Sequence, residues 1–124
     1  MNLNQITVPV TDVATSILFY ETLGLQLIVK ALPNYARFVC KNGATFSLHQ
    51  VTDLSQGTGI WVYFEVDNLA ETFQALEAKG IRFETPPQDQ PWLWQEASLK
   101  DPDGHHLIVY HAGKNRLDPP WRLP

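Results

Sequence analysis

One cysteine, Cys40, is all the chain has, which excludes an internal disulfide and a CxxC metal or redox site and fits a reducing compartment. Basic residues are few and scattered. Nine Lys and Arg stand against thirteen Asp and Glu, a net charge of −4, and no basic run supplies the electrostatic footprint that nucleic acid requires. No apolar run approaches the roughly 18 residues of a membrane span, and the opening "MNLNQITVPV" lacks a basic segment followed by an apolar one. These absences predict a cytoplasmic protein with no nucleic-acid or membrane partner. What is present, 124 residues with 44% hydrophobic and 18% charged content, is enough for one domain, residues 1–124, to bury a core unaided.

The apolar pattern repeats. "NQITVPV" alternates, with Ile6, Val8 and Val10 on one face, as a half-buried strand does. Asp12 then caps a predicted helix, "DVATSILFYETLG", in which Val13, Ile17 and Tyr20 share a face and Gly24 supplies the stop. Three strands are expected next, "LQLIVKA", "YARFVCK" and "ATFSLHQV", with turns at Pro33-Asn34 and at the strong hairpin signal Asn42-Gly43. After "TDLSQGTG", a linker by composition, the order starts again. "IWVYFEV" alternates, Asp67 or Asn68 caps "NLAETFQALEAKG", Gly80 stops it, and "IRFET", "WLWQEASL" and "HHLIVYH" are the remaining strands, with "DPDG" as the last turn. Module one covers about residues 3–52, module two about 59–112, and a tail runs over 113–124. Each module buries one sheet face under its helix and leaves the other to line something.

Two segments carry a family resemblance: "VPVTDVATSILFYETLGL" at the start of the first module and "DPDGHHLIVY" at the end of the second. With the doubled βαβββ order, they make the chain resemble the vicinal oxygen chelate superfamily, from Leu3 to about Ala112. That group contains glyoxalase I, bleomycin-resistance proteins, fosfomycin-resistance enzymes and extradiol dioxygenases. The resemblance implies an α+β fold in which two βαβββ modules form a curved mixed sheet around a cavity, and a homodimer. It does not fix the chemistry, because one fold hosts many functions.

In the metalloenzymes of that family four cavity-facing positions hold a divalent cation, and the resemblance puts them here at Gln5, Ser47, Trp61 and Ile108. Ile has no lone pair to give and Trp offers only an N–H. Ser47 is a poor neutral ligand; the Gln5 amide oxygen is acceptable. The usual metal site is therefore expected to be lost, leaving no cofactor. The alternative is a relocated site built from His49, His106, Glu65 and Gln5, whose donors suit Zn²⁺, Ni²⁺, Mn²⁺ or Fe²⁺.

Strand parity gives the expected lining, since residues two apart point the same way. Gln5, Thr7, Ser47, His49, Trp61, Tyr63, Glu65, His106, Ile108 and Tyr110 are expected to face the cavity, and Phe46, Leu48, Leu107 and Val109 the helices. Trp92, Trp94 and Glu96 add a lid or rim. This set suits a flat, partly apolar organic ligand, planar or cationic where rings lie beside carboxylates. Glu65, set among Trp61, Tyr63 and Tyr110, is the candidate catalytic acid or base, with His106 or Tyr110 as partner. The competing expectation pairs Glu65 with Arg37 or another cation. His105 and His111 are expected at strand ends as surface groups. In the tail, Pro119 and Pro120 exclude regular structure, while Trp121 and Leu123 call for packing on the cavity or on a partner chain. Arg116 and Arg122 would then meet acidic groups such as Glu96 or Asp118.

Three function classes follow. The first is a metal-free binder of a small aromatic or hydrophobic molecule, for drug or metabolite sequestration. The second is a lyase, isomerase or dioxygenase-like enzyme using a relocated metal or metal-free acid–base catalysis. The third is a protein–protein interaction module.

Overall fold

The computed structural model describes residues 3–54 and 60–124, so most of the linker "TDLSQGTG" lies outside the described residues. The chain divides into two compact units, Met1–Ile60 with Asp101–Gly104, and Trp61–Lys100 with His105–Pro124. Among the described residues each unit contains a four-stranded mixed sheet and one α-helix.

In the first unit the strands are β1 (Gln5–Val10), β2 (Gln26–Ala31), β3 (Tyr35–Val39) and β4 (Thr45–Gln50), in the order β1-β4-β3-β2, with β1 and β4 parallel. Helix α1 (Val13–Leu23) starts where expected: the Asp12 carboxylate accepts from Thr15 N–H at 3.1 Å. It ends at Gly24, whose φ of 106° is a left-handed conformation that glycine adopts without a Cβ penalty. Its buried stripe, Val13, Ser16, Ile17 and Tyr20, packs with Val8, Val10, Ala36, Phe38, Phe46 and Leu48. The Tyr20 and Phe46 rings lie 4.7 Å apart. Asn42-Gly43 forms the turn between β3 and β4, with Gly43 at φ 90°.

The "DPDG" turn belongs by its contacts to this first unit. The buried Tyr20 hydroxyl donates to Asp101 Oδ2 at 2.7 Å, and Asp103 Oδ1 accepts from Thr11 N–H and from its hydroxyl at 3.1 and 2.6 Å. The two segments that carry the resemblance thus meet in three hydrogen bonds, Thr11 and the tyrosine of "FY" donating and the two aspartates of "DPDG" accepting. Burial pushes the Tyr20 phenol far above its ordinary range, and the adjacent Asp101 carboxylate adds to the rise.

In the second unit β5 (Trp61–Glu65), β6 (Gln88–Asp89), β7 (Gln95–Lys100) and β8 (His106–His111) take the order β5-β8-β7-β6, again with the first and last strands parallel. Asn68, rather than Asp67, caps α2 (Leu69–Ala78), its side chain accepting from Glu71 N–H at 3.1 Å. Leu69, Leu76, Val62, Ala97, Leu99, Leu107 and Val109 are buried, and Phe73 packs on Phe83 with centroids 4.7 Å apart.

The expected strand "IRFET" is not one. Only Phe83 pairs, in a single bridge with Leu99. Pro86 and Pro87 lack the N–H groups a ladder needs, and the Thr85 hydroxyl takes the place of a backbone partner, accepting from Ser98 N–H at 3.1 Å. The short strand lies instead at Gln88–Asp89, and β7 begins at Gln95. Trp92 and Trp94 therefore sit in the connecting turn rather than in a strand.

Candidate functional site

The second sheet's face away from α2 is built in rows by its register. Trp61 lies beside His106, Tyr63 beside Ile108, and Glu65 beside Tyr110, which is next to Glu96 on β7. The Trp61 and His106 rings stack at 5.0 Å and 22°. Trp94 reaches in from the β6–β7 turn and stacks on Tyr110 at 4.7 Å and 19°, while Tyr63 meets both rings edge-on. Ile108, Tyr110 and Ala112 form the buried floor against which Trp94 packs. Trp61 and Tyr63, by contrast, are 57% and 45% exposed. Burial raises the phenol pKa of Tyr63 and of Tyr110, with Glu96 adding to the first and Glu65 to the second, so both hydroxyls are protonated donors at neutral pH.

Trp94 is held by more than packing. Its indole N–H donates to Asn115 C=O at 3.2 Å, while that of Trp92 donates to Glu96 Oε2 at 2.7 Å. Between them Leu93 has φ 66°, a left-handed conformation costly for a branched side chain. Such strain is sustained only where the surroundings enforce it, and here it turns Trp92 and Trp94 inside one tight loop.

The carboxylate of Glu65 serves the tail. Its Oε2 accepts from Ala112 N–H at 2.8 Å and Gly113 N–H at 3.0 Å, and its Oε1 lies 3.4 Å from Arg116 Nε. One expectation is corrected by this. Glu65 is not buried among the rings, since its side chain is 32% exposed. It does pair with a cation, and of the expected Arg37 or another cation that partner is Arg116. Arg122 does face Asp118, at 4.0 Å. His105 is also corrected, being 1% exposed instead of a surface group. His111 lies exposed at the end of β8, its Nδ1 2.8 Å from Val66 C=O. The tail packs on its own unit as a 3₁₀ turn, Gly113–Arg116, but Leu117, Trp121 and Leu123 remain exposed.

The first unit's face away from α1 has the opposite character. Gln5 Nε2 donates to Ser47 Oγ at 2.7 Å and to Thr7 Oγ1 at 3.2 Å, while Gln5 Oε1 accepts from the Thr45 hydroxyl. Ser47, fully buried, also contacts the Tyr35 hydroxyl at 2.7 Å, which accepts from Arg37 Nε at 2.8 Å. His49 continues the same row but is exposed. Parity placed Gln5, Thr7, Ser47 and His49 together. It missed Tyr35 and Arg37, although the same two-residue rule applied to β3 would have found them beside Ser47. The four positions that the resemblance assigns to a metal divide between the units: Gln5 and Ser47 in the first, Trp61 and Ile108 in the second. Among the described residues, no three His, Cys, Asp or Glu side chains gather as metal ligands do. Nor is any described helix long and apolar enough to cross a membrane.

Comparison with known proteins gives one consistent answer. Residues 2–109 match the family model described as Glyoxalase/Bleomycin resistance protein/Dioxygenase superfamily. A glyoxalase/bleomycin resistance protein/dioxygenase from Nocardioides is similar over 100% of this chain and 90% of its own, with TM-score 0.80 and 21% identity. A lactoylglutathione lyase from Agrobacterium tumefaciens gives 0.73 at 17% identity, over 89% of this chain and 92% of its own. A bleomycin-binding protein solved with bleomycin gives 0.71 at 21%, over 90% and 98%. At such identities these likenesses establish the fold. No curated protein matches the chain.

Proposed function

The chain belongs to the glyoxalase/bleomycin resistance protein/dioxygenase superfamily, and we propose that it uses this fold to bind a small aromatic or hydrophobic molecule without a metal. The observation that carries the reading is the open aromatic face of the second sheet. Trp61 and Tyr63 expose large ring surfaces beside the stacked Trp94–Tyr110 pair, and an exposed apolar patch with a few polar groups is what a ligand surface requires. Glu96 and the Tyr63 hydroxyl supply polar points at its edge.

The chemistry at the family's metal positions supports the metal-free part. Ile108 and Trp61 have no lone pair for a cation, and Gln5 gives its amide oxygen to Thr45 while turning its N–H toward Ser47. Arg37 adds a positive charge to the same hydrogen-bonded group. Glu65, the carboxylate considered for acid–base work, is engaged by two backbone N–H groups and Arg116. The reading includes sequestration of a drug or metabolite, a small organic partner that the bleomycin-bound relative makes reasonable in kind. It also includes a homodimer in the cytoplasm, supported by the exposed Leu117, Trp121 and Leu123 and by the lone Cys40.

Calorimetric titration with 2-naphthol in EDTA tests the binding. Saturable binding is expected, weakened about tenfold in Trp61→Ala through loss of ring contact. Metal analysis of native protein purified without chelator tests the rest. Near-stoichiometric Zn, Ni, Mn or Fe that disappears in His49→Ala or His106→Ala would contradict the metal-free reading.

A further inference from the structure

The hydrogen-bonded group on the first sheet has more donors than acceptors. Arg37 Nε donates to the Tyr35 hydroxyl oxygen, and Gln5 Nε2 donates to Ser47 Oγ. The two hydroxyl oxygens are 2.7 Å apart, and only one of their two protons can lie between them. If Tyr35 donates, the Ser47 proton is left over; if Ser47 donates, the Tyr35 proton is. Either way one hydroxyl donor has no acceptor among the described residues, and Ser47 is fully buried. A buried donor without an acceptor costs stability, so the fully buried Ser47 donates to Tyr35, and it is the half-buried Tyr35 hydroxyl whose proton is left for an acceptor from outside the chain.

Charge adds to the same demand. Arg37 is half-buried and forms no ion pair among the described residues. Its planar guanidinium still has both Nη groups beyond the Nε used by Tyr35. Arg37 and Ser47 are register partners on neighbouring strands, and Tyr35 is two residues from Arg37, so all three side chains stand on one face. One fixed positive charge and a neutral hydroxyl pair, held in place by the Gln5 amide, form a cradle for a single negative charge spread over two oxygens.

We propose that Gln5, Tyr35, Arg37 and Ser47 form a binding site for a small carboxylate. The guanidinium supplies the charge-assisted bonds and the surplus hydroxyl proton supplies a further one. A divalent cation is disfavoured by Arg37, and a dianion such as phosphate would be only half neutralised. The site stands on the first unit alone and goes beyond the aromatic-face reading.

The test is a titration of the full-length ¹⁵N-labelled protein with acetate, against chloride at equal ionic strength, following the Arg37 Nε–H signal and the amides of β3 and β4. Acetate is expected to shift these signals saturably and chloride not. In Arg37→Gln the affinity falls about tenfold or more, the loss of a charge-assisted bond, and in Tyr35→Phe it falls less. Equal shifts with chloride, no saturable shift in the wild-type protein, or unchanged acetate affinity in Arg37→Gln would each overturn the proposal. The wild-type comparison decides the matter even if a variant fails to fold. Because 2-naphthol reports on Trp61 and acetate on Arg37, failure of either reading is seen separately.

Discussion

The two units share a plan and differ in one face. Both place a parallel pair of strands at one side of the sheet, both cap a helix with an Asx side chain bonded three residues ahead, and both bury an apolar sheet face. The opposite faces share almost nothing: Gln5, Ser47, Tyr35 and Arg37 make a polar network in the first, and Trp61, Tyr63, Trp94 and Tyr110 an aromatic cluster in the second. Burial against a helix punishes any change of polarity. The opposite face is not tied to a helix, so a duplicated fold can keep one face and give each copy's other face separate chemistry.

That comparison can be strained from several sides. The largest effect is expected at the first unit's buried pair. Tyr20→Phe deletes the hydrogen bond to Asp101 and should cost about 2 kcal/mol in chemical denaturation, as bonds to charged groups do. Its pH dependence has a definite sign. The folded state raises the Tyr20 pKa above its ordinary 10.0, so the stabilisation is complete below that pH and is lost as the pH rises beyond it. Between about pH 9 and 11 the wild-type protein should therefore lose stability more steeply than Tyr20→Phe, measured by melting temperature.

In the second unit the matching tie is Glu65. Glu65→Ala removes the acceptor for Ala112 and Gly113 and the partner of Arg116. A loss of about 1 kcal/mol is expected, with faster proteolysis after Lys114. An unchanged tail would mean that Glu65 is free for another task. The smallest effect is a gain. Leu93→Gly relieves the left-handed backbone at an exposed position, and roughly half a kcal/mol of stability should follow, net of the entropy glycine adds to the unfolded chain. If the strain serves to aim Trp92 and Trp94, the same variant should weaken 2-naphthol binding while melting higher.

Where burial and turn chemistry decide, the sequence was legible. Alternation in "NQITVPV" and "IWVYFEV", the Asp12 cap and the Gly24 stop all appear where the pattern placed them. "IRFET" alternated as well as they did, yet the prolines after it and the Thr85 hydroxyl took over the pairing, a competition that periodicity does not register. Parity named most of the two open faces. It could not show that Glu65 would turn toward the tail, because Arg116 is distant in sequence and the 3₁₀ turn that delivers it has no period of its own. A place at the end of a strand suggests a surface group for both His105 and His111, yet only His111 is exposed, because position along a strand does not fix burial.

The most direct test of the account is a map of backbone and side-chain shifts on adding 2-naphthol to the native protein in EDTA. Saturable shifts are expected, confined to Trp61, Tyr63, Trp94 and Tyr110 and their strands, with the amides of Gln5 and Ser47 unmoved. Shifts that appear only after a divalent metal is supplied, or that fall on Gln5 and Ser47 instead, would contradict it.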